Sequence, residues 1–180
     1  MLKIVIPGIE LYDEKKEEFI NTKPQTLHLE HSLVSLSKWE SKWNKPFLTK
    51  DNKTYEETID YIRCMTITQN ISEDTYRLLT SENIQQVNDY IELPMTATTF
   101  SNQKKPPSKD VVTAEIIYYW MISLNIPFEC QKWHLNRLLT LINVCNIKNQ
   151  PSKKMSKRDI LNRNKTLNKA RREALTTKGG

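Results

Sequence analysis

The sequence predicts a mainly α-helical (α+β) protein: a helical domain with an N-terminal β-hairpin and a basic C-terminal helical extension. Three observations carry this. Only three of 180 residues are glycine, and two of them close the chain, so Gly8 is the only interior one. From Ser32 onward apolar residues recur at intervals of three and four, the spacing of a helix buried on one side. After Pro151 the composition turns strongly basic.

The first thirty residues form the β part. Lys3-Ile4-Val5-Ile6 and Ile9-Glu10-Leu11-Tyr12 are short β-type runs, and Gln25 to Glu30 alternates polar and apolar with period two. Asp13-Glu14-Lys15-Lys16 reads as a polar turn, and Glu17 to Asn21 as a returning strand. A hairpin or small meander results. Leu27 and Leu29 share one face, and His28 and Glu30 the other.

The helical body occupies residues 31–150. Ser32 can cap a helix bearing Leu33, Leu36, Trp39 and Trp43, ended by Asn44-Lys45-Pro46. Thr54-Tyr55-Glu56-Glu57 fits a capping box for a second helix with Ile59, Ile62 and Met65. Ser72 opens a short helix around Tyr76, Leu78 and Leu79. Ser81 opens another through Val87, Tyr90 and Ile91, stopped before Pro94. Met95 to Pro107 is a loop. Ser108-Lys109-Asp110 then opens the most apolar helix, through Trp120 to Leu124, broken at Asn125-Ile126-Pro127. A further helix runs from about Glu129 to Asn146, with Trp133, Leu135, Leu138, Leu139, Ile142 and Cys145 in helical register. These last two helices are the expected centre of the core.

Residues 151–180 carry ten basic and two acidic side chains, a local charge of +8. The whole chain is +6, so residues 1–150 are slightly acidic at −2. Ser156 and Asp159 fit a helix start. Ile160, Leu161, Leu167, Ala170 and Ala174 give a thin apolar seam, too narrow to fold alone.

Counting excludes several functions. A phosphate-cradling loop needs several glycines so that the backbone can approach the anion, which removes P-loop, dinucleotide-binding and kinase-type chemistry. Cys64, Cys130 and Cys145 cannot all pair, and the segment Met1 to Pro7 is too short and too quickly charged for a signal peptide; both point to a reducing interior. The run Val111 to Ile126 is too short and polar to span a membrane.

Candidate chemistry is sparse. Cys130 and His134 share a helical face, but a zinc site needs further ligands, and Cys145, His28 and His31 have no paired spacing. A Cys–His couple of Cys130 or Cys145 with His31 or His134 lacks an orienting third group. Glu17-Glu18, Glu56-Glu57 and Glu73-Asp74 sit at polar turns or helix starts, where they suit the helix dipole. No enzyme, metal or cofactor is expected.

Trp39 and Trp43 make one aromatic ridge beside Lys38, Lys42 and Lys45. This is either a base-stacking platform or a helix face docked in the core with its lysines snorkelling. Leu33 and Leu36 extend the same face, which favours the core. The candidate partner-contacting residues are Trp39, Trp43, Lys153, Lys154, Lys157, Arg158, Arg163, Arg171 and Arg172. The tail lacks aromatic residues, and its cations scatter evenly around a helix without marking one stripe, so a protein partner or a solvated tail is favoured over nucleic acid. Self-association is left open.

Four stretches resemble small proteins encoded by tailed bacteriophages: Leu29 to Trp43, Pro94 to Thr99, Ile126 to Leu139, and Arg163 to Asn168. The family they resemble is the tail assembly chaperones of long-tailed (siphovirus-type) phages. That resemblance implies a small, mainly helical, non-enzymatic protein. It would coat the tape measure protein during tail tube assembly in the host cytoplasm and be absent from the mature virion. A nucleic-acid-binding phage protein or a structural virion component are the alternatives.

Overall fold

The computed structural model describes residues 1–8, 10–13, 18–21, 23–49, 51–100, 111–149 and 156–176; for 10–13, 18–21 and 176 the backbone alone is described. Four strands come first: β1 (Leu2–Ile6), β2 (Glu10–Asp13), β3 (Glu18–Asn21) and β4 (Gln25–Leu29). β1 pairs antiparallel with β4 and β2 with β3, in two ladders that keep one register. They therefore make one hairpin with a gap. The register that sets Ile6 against Gln25 puts Pro7 opposite Pro24. Neither proline has an N–H to give, so the ladder cannot continue there. Alternation holds as the sequence predicts: Ile4, Ile6, Leu27 and Leu29 are buried on one face. The turn expected at 14–16 lies outside the described residues.

The far edge of β4 is closed by the chain leaving the second helix. Ile67 N–H donates to His28 O at 2.8 Å, and Glu30 N–H to Met65 O at 2.9 Å. The inner ladder is thus covered on that edge.

Helices α1 (Leu33–Trp43) and α2 (Tyr55–Met65) start where the sequence places them. Ser32 and Thr54 each close a capping box, with Ser35 and Glu57 as the reciprocal partners. α3 (Glu73–Arg77) and α4 (Ser81–Glu92) follow. α4 opens at Ser81 as the sequence places it, and Thr80 before it is the cap, accepting from Asn83 N–H. With almost no glycine available, asparagine takes left-handed positions. Asn44 ends α1 at φ 52°, and Asn125 is at φ 52° before Ile126-Pro127.

Two expected elements are corrected. The most apolar helix, α5, spans Ala114–Ser123 with Thr113 at its cap; residues 111–113 are not helical and Ser108 lies outside the described residues. The expected helix over 129–146 is two pieces, a 3-10 turn (Phe128–Lys132) and α6 (Leu135–Asn149). The break falls at Trp133-His134 because the chain there bridges to Ser32, and Leu135 N–H donates to His31 O at 2.7 Å. A continuous helix would have spent that donor internally.

The core centre is also corrected. α1 touches α2, α5 and the 3-10 turn, and Leu33, Leu36 and Trp39 are buried against them. α5 and α6 each give one buried row, Ala114, Ile117 and Met121 in α5 and Leu135, Leu138 and Ile142 in α6. Hairpin and helices form one compact unit, Met1–Ile147. Lys148–Gly180 forms a second unit containing α7 (Lys157–Thr176).

Candidate partner-binding surfaces

Trp39 is 1% exposed, and its Nε1–H donates to Glu57 O at 2.9 Å. It stacks edge-on against Phe47 and Tyr61. It therefore belongs to the core and offers no partner a contact, which corrects its place among the contact residues. Trp43 is half-buried, and its Nε1–H donates to Asp60 Oδ2 at 2.9 Å. It lines a cleft of about 390 Å³ with Tyr55, Ile59 and Tyr76. The cations of that cleft are matched: Lys42 pairs with Asp60, and Arg63 with Glu73 at 3.1 Å. Such a balanced rim shows no preference for an anionic ligand.

Behind the ridge lies a buried polar cluster. His31 Nδ1 meets the Tyr61 hydroxyl at 2.6 Å, and the His31 and His134 rings lie 5.1 Å apart. Burial, with His134 beside it, draws the His31 pKa down to about 3. Burial lowers His134 as well. His134 Nδ1 accepts from Asn136 N–H at 3.3 Å, so Nε2 carries the proton and donates to Tyr90 O at 3.1 Å. Both ring nitrogens thus serve the backbone. The Cys64 and Cys130 thiols are pushed up by burial, which disfavours thiolate. Among the described residues no group of three His, Cys, Asp or Glu could hold a metal ion.

The outer side of α5 is different. Tyr119 is 66% exposed and Ile122 60%, one turn apart on the same face. Phe128, in the turn that follows, is 53% exposed. Phe100, Trp120, Leu139, Thr140, Ile142 and Asn143 line an open groove of about 390 Å³, with Trp120 turned about 100° from Tyr119 around α5. The sequence reading treats α5 as wholly buried and so misses this surface; a helix apolar on all sides is the signal that could have found it.

Of the basic candidates, Lys153 and Lys154 lie outside the described residues, while Lys157, Arg158, Arg163, Arg171 and Arg172 all sit on α7. Every side chain from 156 to 175 is exposed. The helix bounds fix where each cation points. Lys165, Lys169 and Arg172 follow Arg158 by seven, eleven and fourteen residues, so the four fall within about 60° of the helix circumference. Of the expected seam, Ile160, Leu167, Ala170 and Ala174 run along the opposite side, whereas Leu161 borders the stripe beside Arg172. The cations that look scattered in sequence are therefore sorted: four in one stripe, with Lys157, Arg163 and Arg171 off it. Lys165 and Lys169 are absent from the sequence-based candidates, though their spacing was readable once the helix start at Ser156-Asp159 was used as an origin.

Compared with family models, curated proteins and solved structures, the chain matches none. Among the described residues, no helix is long and apolar enough to cross a membrane.

Proposed function

We propose that this chain is a tail assembly chaperone of a long-tailed bacteriophage, a non-enzymatic protein that holds helical segments of the tape measure protein while the tail tube grows around it. It would work in the host cytoplasm and leave before the virion is complete. The resemblance of Leu29 to Trp43 and Ile126 to Leu139 to such proteins suggests the role. The observation that carries the binding mode is the outer face of α5. The most apolar of the described helices leaves Tyr119 and Ile122 in solvent, and its Trp120 lines an open groove with Phe100 and Leu139. Water-facing apolar surface of this kind is stabilised when a partner covers it. An amphipathic helix fits best, laying an apolar stripe along α5 and inserting one side chain beside Trp120 and Leu139.

Co-expression of the tagged chain with the tape measure protein tests this. The two should co-purify, and Tyr119→Arg with Ile122→Glu should abolish capture while leaving the melting temperature unchanged. An insoluble, unbound tape measure sinks the reading. Mass spectrometry of purified particles checks the second half, since a chain retained at stoichiometric level is a structural component instead.

A further inference from the structure

α7 gathers four of its seven cations on one side. Arg158, Lys165, Lys169 and Arg172 form a stripe about 21 Å long, since fourteen residues rise about 1.5 Å each. No acidic residue lies within the stripe; Glu173 flanks it, 3.9 Å from Lys169, and Asp159 is on the far side. Ile160 and Leu167 lie opposite, with Arg163 and Arg171 among the residues of that side, and Leu161 borders the stripe. A protein partner gripping α7 would bury Ile160 and Leu167, and would leave the stripe pointing away from the contact. A polyanion needs no apolar contact at all: its attraction is charge and counterion release. The stripe also carries no aromatic side chain, so it has nothing on which unpaired bases could stack. The chemistry that remains is a rigid line of phosphates whose bases stay paired.

From this we propose that the Arg158–Lys165–Lys169–Arg172 stripe lies along the phosphate backbone of a nucleic-acid duplex, without reading its sequence. The inference is independent of whether the α5 face holds the tape measure protein, because the two surfaces belong to different helices and different chemistries.

The test is fluorescence anisotropy of the full chain with a labelled mixed-sequence DNA duplex across a salt series. Four phosphate contacts give a slope of log K against log salt of about −3.6, or a loss of about 150-fold between 50 and 200 mM. Two charge-matched triple variants then locate the contact. Lys165→Gln, Lys169→Gln and Arg172→Gln together should flatten the slope to about −1. Lys157→Gln, Arg163→Gln and Arg171→Gln together should leave it near the starting value. Lys165→Arg with Lys169→Arg should retain binding. All these positions are exposed, and far-ultraviolet circular dichroism confirms that the helix persists. Equal weakening by both triples would show that position on the helix is irrelevant and overturn the proposal. So would the absence of binding at low salt, or displacement of the duplex by poly-glutamate at matched charge, which would assign the stripe to an acidic protein.

Discussion

Glu40 of α1 caps a helix that begins 74 residues later: its Oε2 accepts the Ala114 N–H at 2.7 Å. Its Oε1 accepts the Phe47 N–H at 2.8 Å. Thr113, at the cap position of α5, makes no side-chain cap bond of its own. One buried carboxylate thus satisfies two buried donors and ties α1, the loop after it and α5 together. Glu40→Ala should lower stability by about 3 kcal/mol, since charged acceptors contribute about 1.5–3 kcal/mol each and orphaned donors add to the loss. Glu40→Gln should retain part of this. Urea denaturation measures both, and a shift under about 1 kcal/mol for the alanine variant would show that the carboxylate does not hold α5.

The two buried histidines predict acid sensitivity. His31 has a folded pKa of about 3, below its ordinary 6.5. The unfolded chain therefore binds the proton more readily than the folded one. The contribution is fully present above about pH 6.5 and falls away as pH drops towards the folded value, by up to about 1.4 kcal/mol per pH unit for each histidine. His134, also lowered, adds in the same direction. Denaturation at pH 7 and 5.5 should show wild type losing stability, and His31→Gln losing less. Parallel curves for the two proteins would mean that His31 protonates without penalty.

The tryptophans should separate in energy. Trp39→Ala should destabilise by roughly 3–5 kcal/mol, the range for a fully buried large side chain. Trp43→Phe should cost about 1 kcal/mol, the bond to Asp60 at a half-buried site. Similar losses from Trp39→Phe and Trp43→Phe would argue that the ridge is not divided between core and surface.

Capping of α4 gives the sharpest local test. Thr80→Ala should cost about 1 kcal/mol, because its hydroxyl holds Asn83 N–H. Ser81→Ala should be nearly neutral, as Ser81 is an exposed first-turn residue with a good helix former replacing it. The reverse order, read by thermal melting, would show that Thr80 is not the cap.

What was legible in the sequence was whatever neighbours decide. Ser32 and Thr54 bond residues three places on, so their capping boxes could be seen without a fold. The hairpin alternation, the asparagine that ends α1 and the basic segment after Pro151 were equally local. The stripe on α7 escaped the reading of its cations as evenly scattered, although a helix start and a period suffice to sort them into faces.

Tertiary structure alone decided the rest, and the reason is the same each time: a donor or an apolar surface was settled by residues remote in sequence. α5 begins at Ala114 because Glu40 reaches it, and α6 begins at Leu135 because His31 O takes its N–H. Asn136 Nδ2 holds Ile91 O and Leu93 O at the end of α4. The sequence established that α5 is apolar and that Trp39 and Trp43 share a ridge. Only the packing around α1 determined that Trp39 is inside and that Tyr119 and Ile122 face water, since one helix cannot know which of its sides a neighbour will cover.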